Sequence, residues 1–269
     1  ALPYEHQKRV RSHIPVGVYN VVADFGQARG ANTATILPND ADHARKYGRI
    51  VLIRNNILAN PAIFGNSKQR FDAVVAPAFR DHLTIDGDFN RTLWHEIGHY
   101  LGVSMTADGR SLGEALAEYA DLVEEMKSDL VSLHAAPTLL EIGYYDEQGL
   151  RAHYADGIRR TLQVVKPRSE QPYQNMQLMQ FNYFMEHGLI EPRGDAALLA
   201  INYERYHEVV SELLGEVLQL QYAGDYDMAK AFIERWNYWD ERVHGRLAGF
   251  MQEQVRYRGT MVRYAVLEE

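Results

Sequence analysis

Residues 91–102, RTLWHEIGHYLG, carry the clearest chemical pattern in the sequence. His95, Glu96 and His99 form an H-E-x-x-H pattern. On a helix, residues four apart lie on the same face, so both histidines can bind one metal ion. Glu96 is rotated by about 100° from His95 and can reach a water molecule beside that ion. The pattern predicts a metal site with a general base if a third ligand exists; otherwise the histidines merely share a helix face.

The next predicted helix, residues 111–134, carries carboxylates that can supply this ligand. Ser111 and Glu114 predict a capping box at its start. Its acidic residues fall on one stripe opposite an apolar face: Glu114, Glu118, Asp121, Glu125 and Asp129. Such a stripe is usually a solvated face. However, Lys127 is the only Lys or Arg in the segment, so the carboxylates repel one another unless a cation or protons offset them.

Two of these carboxylates have the spacing of a metal ligand and its support. Glu125 and Asp129 lie one turn apart, so that one can bind the metal while the other accepts the free N–H of a histidine. With His95 and His99, this predicts a His2Glu zinc site with a fourth position open for water, which is typical of hydrolytic rather than structural zinc.

The composition narrows the class of protein. The chain has 269 residues, a formal net charge of −8 and no cysteine. The negative charge argues against nucleic acid and against anionic membranes as partners, and no apolar run is long enough to span a bilayer. Without thiolates, any metal must be held by His, Asp and Glu, which suits zinc or a harder ion. The absence of cysteine is compatible with cytoplasm and with periplasm.

The coarse pattern predicts an α+β fold that is mainly α. Residues 1–87 are expected to form a small strand-rich portion, α/β or β, and residues 88–269 a helical zinc-binding portion, joined as one continuous unit. Asp88 or Asn90 can cap the H-E-x-x-H helix, which is expected to end at Gly102. Further helices are predicted over 149–165, 174–187, 196–222 and 226–256, and a short strand in the tail TMVRYAVLEE. The apolar periodicity of 206–220 predicts a core-facing stripe.

The motifs resemble those of the dipeptidyl peptidase III family of zinc metallopeptidases. HEIGHYLG followed by EALAEYADLVEEMKSDLVSL carries the likeness, and the segments at 30–57 and 177–188 are also similar. The likeness is greatest to the branch of plants and bacteria that uses H-E-x-x-H and is fused to a Nudix domain in plants. By this resemblance, EEMKSD makes Glu125 the third zinc ligand and places Glu124 and Asp129 around the ligands.

The resemblance also carries two departures. Family members are about twice as long, so this chain is expected to correspond to the C-terminal half, with the N-terminal half of the same protein as a possible partner. The family has a histidine shortly before the QFN block, where this sequence places Tyr173. A phenol can donate a hydrogen bond to an oxyanion but supplies no positive charge at neutral pH.

The leading interpretation is a zinc hydrolase that cleaves peptide or amide bonds in a short substrate, with Glu96 as the base and Tyr173 as a further catalytic residue. A zinc-stabilised binding protein without turnover, or a subunit of a larger assembly, is the alternative; it is favoured by Tyr173 and the absent half, and disfavoured by the retention of Glu96. A metal-free helical scaffold is the third reading. Among the other histidines, His153 is a candidate residue of the cleft.

Overall fold

A three-stranded sheet forms from the β-branched segments near the N-terminus. The computed structural model describes residues 4–8, 13–22, 33–38, 41–194 and 198–254. The central strand β3 (Ile50–Arg54) pairs in parallel with β1 (Val16–Tyr19) and antiparallel with β2 (Ala34–Leu37). Val51 and Ile53 of β3 are fully buried, because alternate residues of a strand point to the same face. This sheet has its own small core, which includes Phe89 and Leu93 of the H-E-x-x-H helix.

Helices make up most of the described chain. They are α1 (Ala41–Tyr47), α2 (Asn55–Leu58), α3 (Pro61–Val74), α4 (Pro77–Arg80), α5 (Ile85–Gly98), α6 (Leu112–Leu116), α7 (Ala120–Glu141), α8 (Glu147–Thr161), α9 (Pro172–Glu186), α10 (Tyr206–Ala223), α11 (Tyr226–Trp236) and α12 (Arg246–Gln254). A hairpin of β4 (Ile190–Arg193) and β5 (Leu198–Ile201) follows α9. The prediction of an α+β, mainly α fold is confirmed. Across the described ranges, no helix combines the length and the apolarity needed to cross a membrane.

Helix α7 lies in the middle of the helical part and packs against α5, α8, α9 and α10. Its buried apolar side chains, such as Leu130 and Leu133, join the main core. The stripe predicted for α10 is confirmed, because the following residues are all buried: Val209, Val210, Leu213, Leu214, Val217 and Leu218.

Two glycines let α5 approach its neighbours closely. A methyl group at Gly98 would lie 2.7 Å from the backbone oxygen of Ser128 in α7 and 3.0 Å from its Cα. A methyl group at Gly87 would lie 2.5 Å from the backbone oxygen of Ala152 in α8. The backbone of α5 therefore rests directly on two helices, and this fixes where its side chains point.

The N-terminal portion contains more helix than the sequence predicted. Within the portion expected to be strand-rich, residues 55–80 form α2, α3 and α4. Asn60 and Pro61 start α3: the Asn60 side chain accepts from two backbone N–H groups and Pro61 occupies the first turn. Helix α5 begins at Ile85, capped by Thr84 rather than by Asp88 or Asn90. The division of the chain at 87/88 stays a prediction.

The predicted helix over 111–134 is two helices. The capping box of Ser111 and Glu114 is present, but α6 ends at Leu116 and Ala117 has a φ of +49°. A 3-10 turn over 117–119 leads into α7, which runs through Pro137 instead of stopping before it. Ala136 and Leu139 are buried on either side of this proline, so tertiary packing offsets the missing N–H.

Two of the later helices were also predicted too long. The helix expected over 196–222 is wrong in its first part, where the chain forms β5 (Leu198–Ile201), and α10 begins only at Tyr206. The expected helix over 226–256 breaks after Trp236, where the Asn182 side chain donates to the carbonyl oxygens of Trp236 and Tyr238. A π-helical turn over 241–245 then leads into α12. The strand predicted in the tail lies outside the described residues.

Candidate metal centre

Helices α5 and α7 bring His95, His99 and Glu125 together. In the part of the chain that the structure describes, these form the one group of three or more potential metal-ligating side chains, with ligand atoms within 4.8 Å of one another. The two imidazole rings are perpendicular, with centroids 4.9 Å apart. Helix α5 ends at Gly98, not at the expected Gly102, and His99 is its C-cap with helical backbone angles. One helical turn therefore still places both histidines on the face toward α7, and Gly98 permits the short distance between the helices.

One oxygen of Glu125 indicates that these residues fit a cation. Oε2 of Glu125 is buried and has no hydrogen-bond partner. It lies 3.2 Å from Nε2 of His95 and 3.7 Å from Nε2 of His99. A buried carboxylate oxygen is unfavourable unless a positive charge compensates it, which at this place is either a protonated His95 or a bound cation. Two imidazole nitrogens and a carboxylate oxygen facing one point are the donor set that zinc prefers in hydrolytic sites.

The far nitrogen of His95 is held by a buried carboxylate. Nδ1 of His95 lies 2.6 Å from Oδ1 of Asp129, which is also 2.6 Å from Nη1 of Arg91. Burial opposes ionisation of Asp129, but the charges of Arg91 and His95 outweigh it and lower the pKa of that carboxyl. The ionised carboxylate can only accept, so Nδ1 of His95 carries the hydrogen and Nε2 is directed at the cluster. In the metal-free protein, burial of His95 is outweighed by Asp129 and Glu125, which raise its pKa to about 9.

His99 is held in the same way by a different pair of groups. Its Nδ1 lies 3.1 Å from Oε1 of Glu124 and 2.9 Å from Oγ of Ser128. The Ser128 hydroxyl donates its single hydrogen to the backbone oxygen of Glu124, so it can only accept from His99. Nδ1 of His99 is therefore also the protonated nitrogen, and Nε2 again faces Glu125. Both histidines thus keep a hydrogen on Nδ1 and direct Nε2 at the cluster, as a metal ligand needs.

Two lysines compensate Glu124. Nζ of Lys8, from the N-terminal segment, and Nζ of Lys127 each lie 2.9 Å from Oε1 of Glu124. Lys127 is fully buried and also donates to the carbonyl oxygens of Gly98 and Leu101 at the end of α5. Burial lowers the pKa of Lys127 to about 7, although Glu124 opposes this shift.

Glu96 and Tyr173 flank the cluster. Glu96 is 9% exposed, and burial raises the pKa of its carboxyl, while His95 and His99 oppose the shift. Tyr173, in the first turn of α9, donates its hydroxyl to Oε1 of Glu125 at 3.0 Å. Burial and the Glu125 charge raise the pKa of this phenol, so it is protonated at neutral pH. The hydroxyl points toward the metal cluster, but its catalytic role stays a prediction.

The acidic stripe inferred from the sequence does not exist as one face. Glu114 belongs to the capping box of α6, Glu118 accepts from the Tyr226 hydroxyl at 2.7 Å, and Asp129 is 3% exposed. The argument that these carboxylates lack cations was wrong for Asp129, which Arg91 of α5 contacts. His153 of α8 is fully buried and hydrogen-bonds to Ser132. The expectation that it lines a cleft was therefore wrong.

Sequence reasoning missed Arg91, Lys8 and Ser128. Arg91 lies one turn before His95, and this spacing was a usable signal that the two share a helix face. Lys8 and Glu124 are 116 positions apart in the sequence, and this separation gave no such signal.

Comparison with known proteins yields structural neighbours only. Neither the family models nor the curated proteins include a match. The dipeptidyl peptidase III of Caldithrix abyssi superposes with a TM-score of 0.78 and 26% identity, over 90% of this chain and 47% of its own. The dipeptidyl-peptidase III of Corallococcus sp. strain EGB superposes with a TM-score of 0.77 and 23% identity, over 89% of this chain and 44% of its own. The chain therefore has a dipeptidyl peptidase III-like fold and spans about half the length of the solved structures that it matches.

Proposed function

We propose that the chain is the zinc-binding part of a metallopeptidase of dipeptidyl peptidase III type, acting on short peptides or related amides. The observation that carries this proposal is the unpartnered buried oxygen of Glu125, which faces the Nε2 atoms of His95 and His99. The H-E-x-x-H spacing favours the branch that is fused to a Nudix domain in plants. The motifs favour correspondence to the C-terminal half of the longer enzymes, whose N-terminal half would be the partner.

The residues of this chain have distinct tasks in such a reaction. His95, His99 and Glu125 would hold zinc, and the carboxylates of Asp129 and Glu124 would keep both histidines in the ligand tautomer. When bound, zinc supplies a Lewis acid that polarises the substrate carbonyl and lowers the pKa of water.

Glu96 is the base in this scheme. Its carboxylate takes one proton from water as the water oxygen bonds to the carbonyl carbon. The same proton passes to the leaving nitrogen as the C–N bond breaks, which gives a carboxylic acid and an amine. A carboxyl whose pKa is raised by burial holds that proton more readily than an exposed one.

The test combines metal content with hydrolysis. Purified protein is expected to hold about one zinc per chain. His99→Ala should lower the zinc content sharply, whereas Glu96→Gln should keep zinc and lose about two to four orders of magnitude in peptide hydrolysis. Hydrolysis is to be measured on the complete gene product as well as on this chain, because the matched enzymes are about twice as long.

A zinc-stabilised binding protein or assembly subunit is the second candidate. It is favoured by Tyr173, which stands where the family has a histidine and which contacts Glu125. This candidate predicts that the wild type binds zinc and short peptides but cleaves none. Full zinc content in both His99→Ala and Glu125→Ala would contradict both candidates.

A further inference from the structure

A cluster of buried charges lies behind the metal centre, where α5, α7 and α8 meet. We call it the Arg91 cluster: Asp88, Arg91, Asp129, Asp156 and Arg159. Arg91 is 3% exposed and Asp156 fully buried. Of this cluster, the scheme above uses only Asp129. Buried ion pairs commonly add little net stability, which raises the question of what this one does.

Arg91 bridges two carboxylates of different helices. Its Nη1 donates to Oδ1 of Asp129 at 2.6 Å, and its Nε lies 2.9 Å from Oδ2 of Asp156. A third nitrogen, Nη2, donates to Oγ1 of Thr92. The planar guanidinium is thus held from several sides, which a single ammonium point charge cannot reproduce.

The oxygen that Arg91 binds is the one that also binds His95. The bond from Nη1 of Arg91 fixes the place of Oδ1 of Asp129, 2.6 Å from Nδ1 of His95. An acceptor at this place keeps the imidazole hydrogen on Nδ1; if the acceptor is displaced, the hydrogen can move to Nε2, where it blocks metal binding. Arg91 therefore acts on His95 by holding this acceptor in position.

We propose that Arg91 is a positioning residue for the metal centre: through Asp129 it keeps His95 in the tautomer that binds metal, and Asp156 holds Arg91 in place. This inference rests on the proposed function, because it takes zinc as the ion at His95, His99 and Glu125. His99 has other partners, Glu124 and Ser128. A change at Arg91 is therefore expected to affect His95 alone among the candidate ligands.

The Arg91 cluster contains its own control. Arg159 contacts Asp156 at 2.5 Å and Asp88 at 3.0 Å, and so joins α8 to α5. The structure gives it no direct contact with Asp129. Arg159→Gln therefore disturbs the same cluster and the same helices but leaves the guanidinium of Arg91 beside Asp129. A purely structural role predicts similar consequences for Arg91 and Arg159.

The experiment compares Arg91→Gln, Arg91→Lys and Arg159→Gln with the wild type. Zinc Kd is measured by chelator competition, and the His95 tautomer by 15N NMR of the metal-free protein at a pH above its imidazole titration. Arg91→Gln should raise Kd about 10- to 100-fold, as loss of support behind a ligand typically does, and move the hydrogen of His95 toward Nε2. Arg91→Lys should recover part of the affinity, and Arg159→Gln should stay within about threefold of the wild type.

The outcomes separate this inference from the proposed function. A wild type that binds no zinc overturns both. A wild type that binds zinc overturns the inference alone if Arg91→Gln keeps its Kd and tautomer, or if Arg159→Gln loses as much affinity. If the Arg91→Gln variant does not fold, Arg91→Lys and Asp156→Asn are measured instead. An unchanged zinc Kd in both of these variants would likewise overturn the inference.

Discussion

At the residue scale, the two oxygens of Glu125 face different partners. Oε2 faces the histidines, whereas Oε1 accepts from the hydroxyl of Tyr173. The hydroxyl therefore has two conceivable uses, orienting a ligand or donating to the oxygen of a substrate. Sequence reasoning predicted the second use. The contact adds the first, because hydrogen bonds to ligating carboxylates fix their orientation.

Tyr173→Phe distinguishes these two uses. If the hydroxyl serves the substrate, turnover should fall by about 10²–10³ with zinc affinity little changed. If it serves Glu125, zinc Kd should rise by about tenfold or more, with a smaller loss of turnover at saturating zinc. We expect the first result to dominate, measured as kcat beside zinc Kd. If turnover and zinc affinity are both undiminished in Tyr173→Phe, Tyr173 is a packing residue only. The matched control is Tyr238→Phe, because Tyr238 lies away from the site.

The protonation of His95 predicts how zinc binding depends on pH. With a pKa of about 9 in the metal-free protein, His95 is protonated at neutral pH, and zinc must displace that proton. Zinc affinity should therefore rise by about tenfold per pH unit between pH 6.5 and 8.5, and level off above pH 9. Calorimetry in buffers of different ionisation enthalpy should show release of at least one proton. A pH-independent affinity would mean that His95 is neutral before zinc binds.

At the element scale, the approach of α5 to α7 depends on Gly98. A methyl group there would meet the backbone of Ser128, which cannot turn aside as a side chain can. Gly98→Ala should force the helices apart, lower the free energy of unfolding by about 1–3 kcal/mol and weaken zinc binding, since His95 and His99 flank this position.

Gly215→Ala is the control for that substitution. Gly215 lies in the exposed part of α10 with nothing within 4 Å of an added methyl group. Alanine there should stabilise the protein by about 0.4–1 kcal/mol and leave zinc affinity unchanged. Denaturant unfolding and zinc titration of both variants check the pair. Equal stability of Gly98→Ala and the wild type would show that α5 can shift without penalty.

At the scale of the whole molecule, the metal centre joins elements that are distant along the chain. α5 and its C-cap residue supply two of the candidate ligands and α7 the third. Lys8 joins the N-terminal segment to Glu124 and to the backbone oxygen of His99. An ion that binds only the folded arrangement stabilises it by mass action.

Zinc should therefore raise the thermal midpoint of the protein. At free zinc of about 1,000 times Kd, the stabilisation should be on the order of 4 kcal/mol. Differential scanning calorimetry of chelator-treated and zinc-loaded protein measures this shift. Glu125→Gln keeps the size of the side chain and removes its charge, so its midpoint should respond much less to zinc. An equal response in both would place the stabilising ion elsewhere.

The sequence by itself determined the local features. The spacing of His95 and His99, the capping box at Ser111 and the apolar stripe of α10 follow from the helical repeat, which acts over a few residues. The mainly helical fold class follows from the same periodicity. Errors arose where long-range packing decides a boundary, as at Pro137, whose helix continues because its neighbours are buried.

Only the tertiary structure decided which groups surround the candidate ligands. The sequence placed Asp129 near the metal by its spacing from Glu125, and Glu124 by resemblance, but the pairing of each with one histidine depends on how α5 crosses α7. Arg91 and Lys8 reach these carboxylates across 38 and 116 residues of sequence. No local pattern encodes such distances, because they arise when helices pack, and a buried charge is stable only where that packing brings a partner to it.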